Sequence, residues 1–150
     1  MIHRSTLASP FGLLTLTEQS GLITGVFWGG GGSDATSILT EALRQLAAYF
    51  SGTLTRFTLP IAPGTGFQSQ IRAAMQAIPF GETRTYGQLA KALNVTPQAI
   101  GQGCGANPMP ILVPCHRVLG TTTLGGFSAP GGVETKVALL RHEGAAGLLI

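Results

Sequence analysis

The chain has 150 residues, 44% of them apolar, which is enough to bury the core of one compact domain or of two small subdomains. No apolar run approaches the roughly 18 residues of a membrane span, and the first residues lack the charged-then-apolar layout of a signal peptide. We therefore expect a cytoplasmic protein. The net charge of +3 arises entirely after residue 60, where six basic residues accompany three acidic ones. This imbalance suits an anionic partner, and equally an ordinary charged surface.

The cysteines and histidines bear on whether the chain holds a disulfide or a metal. Cys104 and Cys115 are the only cysteines, and without a secretion signal they are expected to be free thiols in a reducing compartment. His3, His116 and His142 lie far apart in sequence, and no Cys/His cluster has the spacing of zinc ligands. The sequence predicts no metal site and no cofactor.

The first third of the chain has the pattern of a small antiparallel sheet followed by one helix. Residues 2–7, 12–18 and 21–28 are β-type runs separated by turn residues, which indicates a three-stranded meander. Apolar residues then recur at helical spacing over residues 36–50. Ser33 or Asp34 is placed to cap this helix, which we expect to pack on the sheet.

The middle of the chain predicts three helices after a linker at residues 60–65. Thr65 with Gln68, and Thr85 with Gln88, have the spacing of capping boxes. A third helix begins after Thr96, with Pro97 at its first position. The two short helices at residues 86–93 and 97–104 are joined by a tight turn, which is the layout of a helix-turn-helix.

Glycines leave one flank of the third of these helices nearly bare. The residues concerned are Gly101, Gly103 and Gly105, and each interior glycine costs up to about 1 kcal/mol of helix stability relative to alanine. Either the bare backbone approaches an external surface such as a DNA groove, or it packs tightly on a neighbouring element of the same fold. The residue pattern alone leaves both explanations open.

The last helix is predicted from Val133 to His142, with Val133, Val137 and Leu140 facing inward.

A cluster of reactive side chains precedes it at Pro114-Cys115-His116-Arg117. Positive charge near a thiol lowers its pKa from about 8.5, which predicts a useful thiolate fraction at Cys115. Adjacent residues of an extended segment point to opposite sides, so a proton would pass between Cys115 and His116 through a water molecule. By itself, the Cys-His dipeptide favours an inert buried cysteine over a nucleophile.

The segment from Asn107 to Val118, which reads Asn-Pro-Met-Pro-Ile-Leu-Val-Pro-Cys-His-Arg-Val, resembles the active-site signature of the O6-alkylguanine-DNA alkyltransferases. The similarity continues from Phe67 to Gly144, and more loosely through Ser9-Pro-Phe-Gly12. It implies an α+β fold with a small ribonuclease-H-like domain of β-meander and helix at residues 1–62. A winged-helix-like helix-turn-helix domain, DNA-binding and catalytic, would then occupy residues 63–150.

The resemblance also implies a role for each residue of the site. Cys115 would accept an alkyl group from O6-alkylguanine in a single turnover, activated through a water by His116, which Glu143 orients. Asn107 would brace the turn before the cysteine. Tyr86 would protonate the departing base. The residues expected to bind the substrate are Ser128, at the O6 atom, together with Phe127, Val118 and Cys104.

The expected partner is alkylated double-stranded DNA, bound by a monomer, with cooperative assembly on DNA left open. The residues expected to contact DNA are Gln98, Ala99, Gly101, Gln102 and Arg117. Gln98 and Phe127 depart from the family pattern, which usually has arginine and tyrosine there. Glutamine brings no charge and a shorter reach into the duplex, so we expect weaker DNA binding than in arginine-bearing relatives.

Three other functions remain as alternatives to alkyl transfer. An alkyltransferase-like protein would bind the same lesion without an acceptor cysteine, and the presence of Cys115 argues against it. A helix-turn-helix regulator would read bases with polar side chains, of which the second helix offers chiefly Gln98 and Gln102. A cysteine hydrolase would need an oxyanion hole, which the sequence does not display. The sequence does not decide which alkyl groups are preferred or whether O4-alkylthymine is a substrate.

Overall fold

The chain divides into two compact units, Met1–Ala62 and Pro63–Ile150. The computed structural model describes residues 1–127 and 129–145. Within these ranges no helix has the length and apolar character needed to cross a membrane.

The first unit contains a three-stranded antiparallel sheet. Its strands are β1 (Ile2–Ser9), β2 (Gly12–Gln19) and β3 (Leu22–Trp28), paired in that order. Between β2 and β3 lie Ser20 and Gly21, both with positive φ, as a two-residue type I′ hairpin turn requires. The predicted meander is therefore confirmed. Four side chains of β2 and β3 are buried in its core: Leu14, Leu16, Ile23 and Val26.

Helix α1 (Ser37–Phe50) packs against this sheet through an apolar stripe. Its buried apolar residues recur at three- and four-residue intervals, as expected for an amphipathic helix: Leu39, Ala42, Leu46 and Tyr49. The N-cap is Thr36, whose hydroxyl accepts from the Leu39 N–H at 3.1 Å and donates to Glu18 at 2.6 Å. The predicted caps were wrong because the chain pairs with β1 before the helix begins. There the Asp34 carboxylate accepts from the Arg4 N–H at 2.9 Å.

The second unit is mainly helical. Its helices are α2 (Gly66–Gln76), α3 (Tyr86–Leu93), α4 (Pro97–Gly105) and α5 (Val133–His142). Two short parallel strands, β4 (Arg84–Thr85) and β5 (Val118–Leu119), bring distant parts of the chain together. Ile71 and Met75 of α2 are buried, as is Ile78 just after the helix.

Capping differs between the helices of the second unit. At α3 both hydrogen bonds of the predicted capping box form, Gln88 N–H to the Thr85 hydroxyl at 3.0 Å and Thr85 N–H to the Gln88 amide at 2.8 Å. The box predicted at Thr65 is wrong, since the Thr65 side chain makes no capping bond. Gly66, the first helical residue, has a φ of 58°, so the backbone enters α2 in a left-handed conformation that does not suit a box.

The helix-turn-helix forms as predicted. Asn94 ends α3 in the left-handed conformation, and the Thr96 hydroxyl accepts from the Ala99 N–H at 3.1 Å to start α4, with Pro97 in its first turn. The glycines of α4 divide between the two explanations. A Cβ on Gly103 would lie 2.5 Å from Ile71 Cδ1 of α2, whereas a Cβ on Gly101 or Gly105 would meet no described atom within 4 Å.

The buried face of α5 differs from the predicted one. Leu140 is buried as expected, but Val133 is 42% exposed, and the buried side consists of Thr135, Lys136, Leu139 and Leu140. The rotation has a physical reason, because it lets the Lys136 ammonium donate to the carbonyl oxygens of Val118 and Gly126. A lysine whose ammonium is hydrogen-bonded in this way can be tolerated in a protein interior.

Candidate active site

Cys115 begins a short 3-10 helix, Cys115–Arg117, which leads into β5. Opposite side-chain directions for Cys115 and His116 were predicted on the basis of an extended segment. The segment is helical instead. Cys115 is 9% exposed and lines a cavity of about 340 Å³ within the second unit. The cavity is lined by Tyr86, Gly101, Cys104, Gly105, Cys115, Gly125, Gly126 and Phe127. The thiol is thus buried in the protein yet open to a space that can receive a ligand.

The environment of the Cys115 sulfur contains opposing influences. Burial raises the pKa of the thiol and outweighs the groups that lower it, namely the Asn107 amide, the Lys136 charge and the backbone N–H groups of Cys115 and His116. The prediction of a lowered pKa was wrong because the thiol lies inside the protein. A resting thiol of this kind needs a base to remove its proton when it reacts.

His116 has the chemical properties of such a base. It is fully buried, and its Nε2 lies 2.8 Å from Glu143 Oε2. Because a carboxylate only accepts hydrogen bonds, Nε2 carries the proton and Nδ1 keeps a lone pair. Nδ1 contacts no hydrogen-bonding atom among residues 1–127 and 129–145. Burial, together with the charges of Arg117 and Lys136, lowers the pKa of His116 despite the adjacent carboxylate, so the ring is neutral and able to take a proton.

Glu143 follows the last turn of α5 and is held by two residues of the 3-10 helix. Besides His116, the Arg117 guanidinium donates from Nε to Oε1 at 2.8 Å and from Nη2 to Oε2 at 2.9 Å. Burial alone would raise the pKa of Glu143, but the hydrogen bonds from His116 and Arg117 lower it well below its usual range. The carboxylate is ionised and fixed in orientation.

Arg117 requires a correction, since it was expected to contact DNA. Its side chain is 8% exposed, and its third donor, Nη1, reaches the Ile78 carbonyl at 2.7 Å. A guanidinium with all three of its nitrogens engaged inside the protein is not available to a phosphate. Arg117 belongs to the interior of the site.

Asn107 lies in the turn between α4 and the cysteine. Its Nδ2 donates to the Val113 carbonyl at 2.9 Å, and its Oδ1 accepts from the Met109 N–H at 3.1 Å. The side chain therefore joins both ends of the loop that delivers Cys115, which is the bracing geometry expected for it. The amide also faces the sulfur, where it favours the thiolate.

Tyr86, the first residue of α3, lies on the cavity wall together with Gly125. A Cβ on Gly125 would stand 2.5 Å from the Tyr86 hydroxyl oxygen, and the φ of Gly125 is 73°, so both the close approach and the backbone require glycine. Burial raises the pKa of Tyr86, as do the neighbouring thiols. The phenol therefore stays protonated and can donate a proton or a hydrogen bond into the cavity.

Lys136 is the site residue that the sequence analysis missed as a functional group. Its Nζ donates to the carbonyls of Val118 at 2.7 Å and Gly126 at 3.2 Å, and it lies 5.8 Å from the centre of the Tyr86 ring. Burial lowers its pKa to about 8. The available signal was its position one helical turn before Leu140, which places a charge on an apolar stripe.

The remaining residues predicted to bind substrate divide into three groups. Cys104 and Phe127 line the cavity. The Cys104 thiol lies 3.7 Å from the Met75 sulfur, and burial raises its pKa to about 12, which fits a packing residue better than a second nucleophile. Val118 is fully buried and meets the site through its carbonyl, which holds Lys136. Ser128 lies outside the described residues.

The residues of α4 expected to meet DNA lie at its surface. Gln98 and Gln102 are exposed and, being four residues apart, share one face of the helix. Ala99 and Gly101 are half-buried. This surface offers amide side chains and bare backbone without charge.

Comparison with known proteins places both units in one family. The sequence profile described as 6-O-methylguanine DNA methyltransferase, ribonuclease-like domain, matches residues 2–63. The profile described as 6-O-methylguanine DNA methyltransferase, DNA binding domain, matches residues 66–145. A methylated-DNA--protein-cysteine methyltransferase of Mycolicibacterium paratuberculosis is 37% identical, with 95% of this chain and 93% of the relative covered. One of Methanosarcina acetivorans is 45% identical, with 70% and 69% covered.

Solved structures agree with this relationship. The crystal structure of Mycobacterium tuberculosis OGT in complex with DNA superposes with a TM-score of 0.85 at 36% identity, over 95% of this chain and 92% of that one. A crystal structure of Mycobacterium tuberculosis O6-methylguanine methyltransferase gives a TM-score of 0.84 at 34% identity, over 100% and 97%. The expected α+β fold, with an N-terminal sheet domain and a C-terminal helical domain, is confirmed, and the chain belongs to the 6-O-methylguanine DNA methyltransferase family.

Proposed function

We propose that this protein repairs DNA by transferring an alkyl group from O6-alkylguanine to its own Cys115, once per molecule. The observation that carries the proposal is the arrangement around the thiol. Cys115 opens into a cavity large enough for a small ligand, and the next residue, His116, forms a buried pair with Glu143 that holds its imidazole in one orientation. The activity named for its relatives supports the same chemistry.

Binding to DNA precedes the reaction in this proposal. The alkylated oxygen of guanine lies within the base stack, so the nucleotide must rotate out of the duplex to reach a cavity in the protein. Helices α3 and α4 form the helix-turn-helix that would meet the duplex, and the exposed Gln98 would stand by the gap left in the stack. The relative solved with DNA supports this partner.

The reaction is a displacement at the alkyl carbon. The Cys115 sulfur forms a bond to that carbon while the bond between carbon and guanine O6 breaks. The thiol proton passes through a solvent molecule to His116 Nδ1. The guanine takes up the electron pair of the broken bond and receives a proton from the Tyr86 hydroxyl. Lys136, 5.8 Å from the Tyr86 ring, offsets negative charge as it develops on the phenol.

The product limits the protein to one turnover. A thioether at Cys115 is not cleaved by water under physiological conditions, and Cys104, the other thiol facing the cavity, remains protonated because burial raises its pKa to about 12. The alkyl group therefore stays on the protein. The same displacement applies to O4-alkylthymine, which we include as a second substrate of the proposed activity.

The proposal predicts a mass change that depends on one sulfur. After incubation with a duplex carrying O6-methylguanine, the intact protein should gain one methyl group, and Cys115→Ala should gain none. Cys104→Ala is the matched control, because it removes the other cavity thiol and should still gain the methyl group. Tight binding of the lesion duplex without a mass change would instead identify a lesion-binding protein, and methyl release over several turnovers would contradict the single-turnover mechanism.

A further inference from the structure

Arg117 has no role in the reaction steps proposed above, although it contacts Glu143. It is buried, and its guanidinium donates two hydrogen bonds to Glu143 and a third to the carbonyl of Ile78, which follows α2. Glu143 Oε2 is shared, since it receives both Arg117 Nη2 at 2.9 Å and His116 Nε2 at 2.8 Å. Arg117 therefore acts on the same carboxylate oxygen that orients the catalytic base.

The charges around His116 give this contact a consequence. Among residues 1–127 and 129–145, the charged groups that act on the imidazole are Arg117 from the 3-10 helix, and Lys136 and Glu143 from α5 and its end. A buried histidine paired only with a carboxylate tends to become an imidazolium, because the ion pair is strong where solvent is excluded. An imidazolium has no lone pair and cannot accept the thiol proton. The site therefore needs a carboxylate that orients the ring without protonating it.

We propose that Arg117 is a positioning residue that neutralises Glu143 and fixes it with two hydrogen bonds, so that the carboxylate orients His116 while the imidazole remains an unprotonated base. The bidentate geometry suits this role, because a planar guanidinium holds both carboxylate oxygens in one plane. Its third hydrogen bond, to the Ile78 carbonyl at 2.7 Å, anchors the guanidinium to a residue other than Glu143. Arg117 itself acts only through Glu143. The inference rests on the proposed alkyl transfer for its function, but not for its physical readout.

Two substitutions separate the charge of Arg117 from its shape. Arg117→Gln keeps an amide donor for Glu143 and removes the charge. Arg117→Lys keeps the charge and removes the two-pronged geometry. Both are measured on the unreacted full-length protein with labelled histidine, by following the protonation of His116 with NMR between pH 5 and pH 9, so that no DNA and no alkyl transfer are needed.

In Arg117→Gln the protonation midpoint of His116 should rise by at least about one pH unit, which is a tenfold increase in proton affinity. The rate of methyl transfer at low pH should fall by a similar factor and recover as the pH rises. In Arg117→Lys the midpoint should stay at the wild-type position, while the transfer rate falls at every pH because Glu143 is held less firmly. A purely structural role would change both variants alike, without moving the pH profile.

An unchanged midpoint in folded Arg117→Gln, or an equal rise in both variants, would overturn the inference. Should Arg117→Gln fail to fold, Arg117→Lys still decides the matter, because an upward shift of its His116 midpoint would contradict a role based on charge. If wild-type protein transfers no methyl group while the NMR result holds, the proposed function fails and the coupling between Arg117 and His116 stands.

Discussion

Arg117 and Lys136 are both buried and both act on His116, but their contacts differ. Arg117 is paired with a carboxylate, whereas the Lys136 ammonium donates to the carbonyls of Val118 and Gly126. The charge of Lys136 is therefore less compensated, and it acts on the Cys115 sulfur and the Tyr86 ring. Burying this charge costs free energy of folding, and buried ionisable groups of this kind are concentrated at functional sites.

Replacing Lys136 with methionine should make Cys115 less reactive. The charge lowers the pKa of the Cys115 thiol, so its removal should raise that pKa further and reduce the thiolate fraction about tenfold for each pH unit by which the pKa rises. The rate of iodoacetamide alkylation as a function of pH, measured in a Cys104→Ala background, reports this change. Arg141→Met is the matched control, since Arg141 is exposed on the same helix. Equal alkylation rates in Lys136→Met and its parent would refute the assignment.

At the scale of elements, α4 serves two surfaces with one glycine-rich sequence. Gly103 lets α4 approach Ile71 of α2, while Gly101 and Gly105, four residues apart, expose bare backbone at the cavity. Fold packing and access to the cavity are thus separated on opposite flanks of a single helix. Gly103 explains the close contact of α2 and α4, and Gly101 and Gly105 leave room for a ligand in the cavity.

Alanine at the two flanks should have opposite effects on stability. Both substitutions gain up to about 1 kcal/mol of helix propensity, so the difference between them isolates packing. A Cβ on Gly103 meets the buried Ile71 side chain, and overpacking of this kind costs about 1–3 kcal/mol. Gly103→Ala should therefore be less stable than Gly101→Ala by about that amount in urea unfolding. Equal unfolding midpoints for the two variants would contradict the prediction, because they would show that the Ile71 side chain moves aside at no cost in stability.

For the whole molecule, the buried His116–Glu143–Arg117 cluster links folding to pH. The folded state lowers the pKa of Glu143 from its ordinary value of 4.5 and that of His116 from 6.5, so both groups bind protons more readily in the unfolded chain. Stability from these groups is therefore present above their unfolded pKa values. It decreases as the pH falls below about 6.5 and more steeply below about 4.5.

The Glu143→Gln variant should lose less stability between pH 6 and pH 3 than the wild type does. Its absolute stability is expected to be lower at neutral pH, because the Arg117 charge remains buried without its partner. The informative quantity is the slope of the free energy of unfolding against pH, measured by guanidinium unfolding and circular dichroism. Glu82→Gln is the control, since the Glu82 side chain is 53% exposed. A slope unchanged from wild type would contradict the linkage.

Local patterns in the chain were enough to predict most elements, and the resemblance carried by residues 107–118 indicated Cys115 as the candidate nucleophile. The β-type runs separated by turn residues predicted the meander, helical spacing predicted α1, and the Thr85 capping box and the Thr96 cap were confirmed. Each of these signals depends on residues a few positions apart, which the chain order itself brings together. The signature around Cys115 was equally local, and the family it indicated is confirmed.

The properties that decide reactivity depended on residues brought together by folding. Burial, which no local pattern measures, reversed the expected pKa of Cys115. Glu143 meets Arg117 across 26 positions of sequence, and Lys136 meets the Val118 carbonyl across 18, so neither partner was visible from neighbouring residues. Arg117 was predicted to contact DNA, a role that requires an exposed side chain, as arginine usually is. Only the packed interior, where every buried charge must find a partner, assigned it to Glu143.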